Sequence, residues 1–490
     1  MQGQDIKRPS INYGLLFQII TACGIGLMLG IASGLLSGLL VFGLLAAVFA
    51  VYVISKRPEF ALLGILITTA SIVFEDQLPL LPLGGISIHI PDLLLLGMLG
   101  LVILRWLVEP KFRLVRTPLD LPLLLFFGIT LLSTFIAFAH SSLDGVLVRR
   151  AFRVITYYLV FFAVTNLIRE RRQLDFLLNS LFYLATFVAL VMVVQYILGR
   201  SVILLPGRVE TLNTQGVDYS NVTRILPPGL SVVLVIFVVS FCILILNRFN
   251  PVEFLEFFRF GLLGLAILFT FLRSYWLGLI VIFFFLFFIL GGEYRPRLIT
   301  WGMAIICSAT VILAVIFSMP DSEAARLAGA SNARLSTIFS VDTFRGQDGS
   351  LNYRKIENEY AIPQILSHPL IGMGLGARYR PWDTRLGDVG GDGRHFIHNG
   401  HLLIFLQSGL LGYLSLMWLS LAFLLRGFRY WRNVTDGRLK SVVLGFTLVY
   451  VVVIISATVN STFMQWNWTP LIGLFMGINE IIFLKYREER

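Results

Sequence analysis

Apolar residues in this chain gather into long runs separated by polar breaks. The runs predict membrane spans at about 14–33, 36–55, 58–74, 91–108, 119–139, 151–168, 175–197, 226–247, 257–272, 274–291, 298–318, 400–425, 440–459 and 464–484. Most approach the roughly 20 residues that cross a hydrocarbon core. The pattern predicts an all-α polytopic integral membrane bundle of about 12–14 transmembrane helices. Two breaks are long. One runs from about 198 to 225, and the other is a loop of about 80 residues between 319 and 399. Loops of that length are usually either functional or disordered. The longer one opens with Asp321, Ser322 and Glu323, a helix start. A helix-like stretch follows from Asn352 to Leu366, with an interruption expected at Pro363. It ends in a Gly/Asp-rich piece, Gly387 to Arg394, expected to be flexible. Val252 to Phe260 is amphipathic and is expected along the inner interface. There is no internal repeat. The expected organisation is an N-terminal bundle over 1–200, a central domain over 201–425 that includes the loop 319–399, and C-terminal helices over 426–490.

Composition excludes the soluble alternatives. Hydrophobic types make up 57% of the 490 residues and charged types 14%, against roughly 45–50% and about 25% in soluble chains. The net charge of +11 would hint at nucleic acid in a soluble protein; here it fits basic cytoplasmic loops, and no nucleic-acid partner is expected. Cys23, Cys242 and Cys307 all fall in apolar runs and make neither a disulfide framework nor a CxxC site. The polar start, Met1 to Ser10, leads into a full-length apolar run without a small-residue cleavage site, which reads as an uncleaved first span. With a cytoplasmic N-terminus, 23 of the 39 basic residues fall on the inner side. Of the 16 outside, nine lie in the long loop, where the positive-inside rule carries little weight. Both termini are therefore expected in the cytoplasm. Trp466 and Trp468 at an outer end, and Tyr430 and Trp431 at an inner end, fit interfacial anchoring.

This orientation gathers candidate chemistry on the outer face. Arg224 precedes a span, Arg273 sits between two spans, Arg354 lies in the large loop, and His398 and Asn399 end that loop. A charge within a long apolar stretch is a functional-site hypothesis; a cation snorkelling to headgroups from an interfacial turn is the competing reading of Arg273. Guanidinium forks suit phosphate oxygens and keep their charge. Arginines around a pyrophosphate would stabilise the charge that builds as it leaves. Histidine is suited to moving a proton near neutral pH. His395, His398 and His401 recur at spacing three, so a metal reading competes with a polar loop–helix junction capped by Asn399. No Cys or carboxylate motif accompanies them, and no metal or other cofactor is expected. Gly372-Met373-Gly374-Leu375-Gly376 has the spacing of a nucleotide loop but follows no strand. Ser408-Gly409-Leu410-Leu411-Gly412 reads as close helix packing. The tripeptides at Asn221 and Asn460 match glycosylation acceptors, a pattern common by chance.

Several of these segments, taken in order, resemble the O-antigen ligase and polymerase superfamily of bacterial membrane glycosyltransferases, the Wzy-C type. Thr270 to Gly278 is similar to that family's T-x-S-R-G-x-W-L-G segment, with Leu272 in place of the serine before Arg273. Arg354 followed by His368-Pro369-Leu370-Ile371-Gly372-Met373-Gly374 resembles its R…hP-l-x-G-x-G stretch. His398-Asn399-Gly400-His401-Leu402, followed by Ser408 to Gly412, resembles H-N-x-x-L…G-l-x-G. Arg224 with Ile225-Leu226-Pro227-Pro228 resembles the arginine that opens the domain. The resemblance covers about residues 220–415.

It implies a glycosyltransferase-C-like bundle in the bacterial inner membrane. The implied donor is an undecaprenyl-pyrophosphate-linked glycan, transferred at the periplasmic face with inversion to an acceptor hydroxyl. That acceptor would be another glycan or a lipid A-core. Arg224 and Arg273 would hold the pyrophosphate, with Arg354 as a further donor contact. His398 would orient or activate the acceptor hydroxyl, supported by Asn399 and His401. Membrane lipids are the remaining expected partners. The rival class is a lipid-linked oligosaccharide flippase. Ion-coupled transporters carry ionisable residues near mid-membrane, and no proposed span has one near its centre; Glu480 lies close to an inner end.

Overall fold

The structure, a computed structural model, describes residues 52–73, 77, 81–83, 86–140, 143–200, 202–214, 217–247, 251–318, 323–339, 349–386 and 393–486. The expected span at 14–33, nearly all of that at 36–55, and Cys23, Asp321, Ser322 and residues 387–392 lie outside them. The chain divides into two compact units, Met1–Phe60 and Ala61–Arg490. In the first, Arg57 pairs with the buried Glu59. All that follows concerns the second.

Long apolar helices dominate it: α1 (Pro58–Leu66, begun in the first unit), α2 (Ile90–Val108), α3 (Asp120–His140), α4 (Gly145–Thr156), α5 (Val160–Leu167), α6 (Arg171–Leu198), α7 (Leu230–Leu246), α8 (Pro251–Leu268), α9 (Arg273–Ile289), α10 (Arg295–Phe317), α11 (Glu323–Phe339), α12 (Gly349–Ser367), α13 (Gly400–Tyr430), α14 (Gly437–Ser456) and α15 (Thr469–Lys485). Among the described residues, α2, α3, α6, α13 and α14 are long and apolar enough to cross a membrane, and α7 and α9 are shorter apolar helices. The chain is an all-α polytopic membrane protein.

Burial sorts the helices. In α14, 83% of the apolar window is buried inside the protein, against 22% in α2. Helix α14 packs along α7, and α15 along α5, to form the centre. Helices α2, α3 and α9 bury one stripe and turn apolar side chains such as Leu107, Phe135 and Phe288 outward. A contiguous outward apolar surface fits hydrocarbon rather than water. A bidentate ion pair at 2.7 Å joins Arg426 of α13 to the buried Glu480 of α15. A buried carboxylate needs such a partner.

Local chemistry departs from the expected boundaries in several places. The expected span at 151–168 is broken into α4, a 3-10 turn at Tyr157–Leu159 and α5. The first part begins at Gly145, ahead of the apolar run, because it bears Arg149, Arg150 and Arg153 and is strongly amphipathic. The segment around 198–225 folds as an antiparallel hairpin, β3 (Arg208–Thr214) with β4 (Val217–Leu226). A second small hairpin pairs β1 (Leu81–Leu83) with β2 (Ile86–Ile88). Pro363 does not interrupt α12; a proline inside a helix is tolerated where neighbouring groups absorb the lost bond. Val252–Phe260 is the first half of the longer α8.

Basic residues meet at one end of the bundle. There Arg169 donates to Arg113 O at 2.9 Å, Lys485 donates to Arg169 O, Arg171 pairs with Asp436 at 2.8 Å, and Arg297 donates to Asn247 O at 3.1 Å. The hairpin β3–β4, helix α4 and the start of α13 belong to the opposite end, where a cavity opens.

Candidate functional site: an arginine-lined cavity at one end of the bundle

A cavity of about 1320 Å³ lies among α4, the β3–β4 hairpin, the start of α9, α12, the start of α13 and the segment between α14 and α15. It brings together three of the residues singled out from sequence: Arg224, Arg354 and His398. Arg273 does not line it, although its neighbours Leu272 and Tyr275 do.

His398 is held by its position just before a tightly docked helix. Asn399 caps α13, its Oδ1 accepting from the amides of His401 and Leu402, both at 3.1 Å. The first helical residue, Gly400, donates to Ala457 O at 2.7 Å, and a Cβ there would lie 2.9 Å from Asn460 O. The cap and the close approach together fix the residue before them. The His398 ring lies edge-on to Tyr353 at 5.4 Å and to Phe396 at 5.0 Å.

The partner of His398 is Glu357 of α12. Its carboxylate is almost fully buried, at 1% exposure, and accepts from the His398 backbone amide and from Nδ1, both at 3.0 Å. A carboxylate only accepts, so the proton of the neutral ring sits on Nδ1 and Nε2 keeps its lone pair. A buried carboxylate of this kind fixes the tautomer and stabilises the imidazolium that forms when Nε2 takes a proton. The nearby phenols do not compete as bases: burial, and then the Glu357 charge, push both Tyr353 and Tyr379 above their ordinary range.

The loop that leads to His398 is locked to α13 by main-chain hydrogen bonds and by Tyr379 and Ile397, which pack with Leu403 and Leu406. Gly409 interrupts α13 with φ 65° and ψ −169°, a conformation essentially confined to glycine. The break frees groups that a continuous helix would pair internally. Leu406 O accepts from Met373 N at 2.8 Å and Gln407 O from Gly374 N at 3.0 Å. In return Leu410 N donates to Pro369 O at 2.8 Å and Leu411 N to Leu370 O at 3.2 Å. A Cβ on Gly409 would lie 2.3 Å from the Leu370 backbone. The glycine-rich stretch at 372–376 is thus a backbone latch, which explains its spacing without a nucleotide. Gly409 serves the approach of a loop to the helix rather than of one helix to another.

Arg224 is positioned by the hairpin. It lies directly across from Glu210 in the β-ladder, and its Nη1 meets that carboxylate at 3.0 Å. Its Nε donates to Thr270 O at 3.0 Å, while Ile225 N donates to Phe269 O at 3.1 Å. The hairpin is therefore stitched to the turn between α8 and α9. That turn holds Phe271 at φ 50°, a strained setting for a bulky residue, costing about 1–3 kcal/mol. Burial lowers the Arg224 pKa, Glu210 opposes that, and the charges of Arg208 and Arg273 lower it further. Arg273 is thus close enough to act on Arg224 electrostatically, at the first position of α9.

Arg354 reaches from α12 to donate through Nε to Val459 O at 2.8 Å. His401 faces the bundle: its ring contacts Ile454 O at 3.1 Å, Tyr413 Oη at 3.3 Å and Phe463. The three histidines at spacing three are thereby separated, with His395 and His398 on the cavity and His401 turned away from it. Sequence reasoning missed Glu357, Arg149, Arg150, Arg153 and Arg208, of which all but Glu357 line the cavity. For Glu357 one signal was present: it lies three residues after Arg354, on the same helix turn.

Residues 258–417 match the model of a family described as O-antigen ligase. The matched stretch includes Arg273, Arg354, Glu357 and His398; Arg224 lies outside it. None of the curated proteins matches the chain.

Proposed function

From the O-antigen ligase domain that the chain carries at residues 258–417, we propose a membrane glycosyltransferase. It moves a glycan from an undecaprenyl-pyrophosphate donor to an acceptor hydroxyl, as an O-antigen ligase or a surface-polysaccharide polymerase does. The observation that carries this reading is the cavity that joins Arg224 and Arg354 to a histidine held through Nδ1 by a buried carboxylate.

In the proposed reaction the acceptor hydroxyl attacks the anomeric carbon of the donor sugar. The carbon–oxygen bond to the pyrophosphate breaks, and undecaprenyl pyrophosphate leaves with the bonding pair. His398 Nε2 takes the hydroxyl proton, and Glu357 holds the ring while that charge forms. Arg224 and Arg354 meet the phosphate oxygens, and Arg273 adds positive potential from behind Arg224. A single displacement gives inversion. Asn399 and His401 act by fixing the start of α13.

The basic end of the bundle is assigned to the cytoplasm, with both termini, and the cavity to the periplasmic face of the inner membrane. Residues 1–200, 201–425 and 426–490 are read as an N-terminal bundle, the transferase domain and the closing helices.

The test is transfer by the purified protein in nanodiscs with an undecaprenyl-pyrophosphate oligosaccharide and candidate acceptors. Acceptor-dependent release of undecaprenyl pyrophosphate that His398→Ala abolishes is expected. Release from neither protein with any acceptor, despite donor binding, would count against transfer and favour a flippase.

A further inference from the structure

Among the described residues, six arginines and no carboxylate line the cavity: Arg149, Arg150, Arg153, Arg208, Arg224 and Arg354. They fall into two groups on different supports. Arg208 and Arg224 belong to the hairpin stitched to the α8–α9 turn. Arg149, Arg150 and Arg153 belong to α4, whose N-terminus is capped by Asp144 accepting from Val146 N at 2.9 Å.

Helix α4 is anchored through Arg153. That guanidinium pairs with Asp92 of α2 at 2.7 Å and lies over the Trp466 ring at 4.8 Å. Tyr157 Oη donates to the same Asp92 at 2.7 Å. Arg153 is therefore neutralised and serves as a strut. Arg149 and Arg150 differ: both are exposed on the cavity wall, and no hydrogen-bond or ion-pair partner among the described residues meets either guanidinium. Two neighbouring guanidinium charges left without a counter-charge on one cavity wall repel, and the repulsion grows where the walls have a low dielectric. An anion relieves it.

The donor pyrophosphate, with about two negative charges, already has Arg224 and Arg354, and Arg208 lies on the same hairpin as Arg224. The cavity, at about 1320 Å³, exceeds the roughly 300–1,000 Å³ of a single-ligand pocket. It has room for a second headgroup.

We infer that Arg149 and Arg150 form a second anion subsite that binds a phosphate carried by the acceptor. This inference rests on the glycan-transfer reading. The acceptor is accordingly an anionic glycolipid. Its phosphate is either an ester on its sugars or the pyrophosphate of a second lipid-linked glycan. Both present the same oxygens to a guanidinium fork.

The test uses the full-length protein in zwitterionic nanodiscs, with Arg149→Gln/Arg150→Gln beside wild type. The binding probe is a bis-phosphorylated disaccharide glycolipid, which cannot act as donor, and its phosphatase-treated form. Wild type is expected to bind the phosphorylated probe at least tenfold more tightly than the treated one, and the double variant is expected to lose that preference. In transfer assays, the acceptor KM of the variant is expected to rise about tenfold for whichever acceptor carries the phosphate, glycolipid or lipid pyrophosphate, with the donor KM moving less than twofold. Equal affinity of variant and wild type for the phosphorylated probe would overturn the inference. So would an equal loss with the treated probe, or a variant that loses phosphatidylglycerol binding alone. A rise in donor KM as large as that in acceptor KM would return the pair to the donor site. Wild-type protein that binds the probe with the expected preference yet transfers nothing would sink the transfer reading and leave the subsite standing.

Discussion

The two sides of the cavity are held by different forces. On the His398 side, main-chain hydrogen bonds and a buried apolar cluster do the holding. Four main-chain hydrogen bonds latch residues 369–374 into the break of α13 at Gly409, and a capped helix start fixes His398 against a buried carboxylate. On the arginine side, positions are set by charge and by a hairpin edge, and Arg224 leans on Glu210 and a carbonyl. The difference matches the tasks proposed for the two sides. Proton transfer needs a heavy-atom geometry good to a fraction of an ångström. Anion binding tolerates more latitude, because potential falls off slowly with distance. The latch side should therefore break abruptly when its backbone is disturbed, and the arginine side should weaken by degrees.

The largest effect is expected from Gly409→Val. A side chain there meets the Leu370 backbone at 2.3 Å in a left-handed conformation, which should cost about 4 kcal/mol or more. Thermal unfolding in detergent should show a lowered midpoint together with lost transfer. His398→Ala should come next. It should lower the unfolding midpoint, because the buried Glu357 keeps only the backbone amide of residue 398, while the fold survives and the transfer rate falls by about 10²–10⁴-fold. Arg224→Ala should lower kcat/KM by about 10²-fold, mainly through donor KM, with Arg224→Lys recovering only part because a bidentate fork is lost. Glu210→Gln sharpens the comparison at the small end. It removes the carboxylate that occupies Arg224 without touching the guanidinium, so donor KM should change by about threefold or less. Were the arginine side as rigid as the latch, this last variant would behave like Arg224→Ala.

The bundle was legible because a membrane demands long apolar runs, and most helices fall where those runs lie. The exceptions have a physical source. Helix α4 carries three arginines toward a cavity, so its apolar count is low although it is a regular helix. The β3–β4 hairpin lies in a segment whose alternation is weak, and its register depends on pairing with Glu210 and on the α8–α9 turn. Of the residues that meet in the cavity, Arg224 and His398 stood out as polar residues at the ends of apolar spans, and Arg354 through the motif that resembles the O-antigen ligase family. Glu357 was not, because a carboxylate within a polar helix such as Asn352–Leu366 looks like a solvated one. Only the fold buries it against residue 398, 41 positions along the chain. The glycine signatures at 372–376 and 409–412 were visible as patterns, but their mutual pairing is a tertiary fact.

The central claim is that Glu357 and His398 act as one unit on the acceptor's proton. A double-mutant cycle on transfer rate at saturating donor and acceptor tests it most directly, using His398→Ala, Glu357→Gln and the pair. Glu357→Gln alone is expected to lower kcat by about 10–100-fold. Added to His398→Ala it should cost nothing further, because the carboxylate has no ring left to hold. Losses that multiply in the double variant would contradict the account and give Glu357 a role independent of His398.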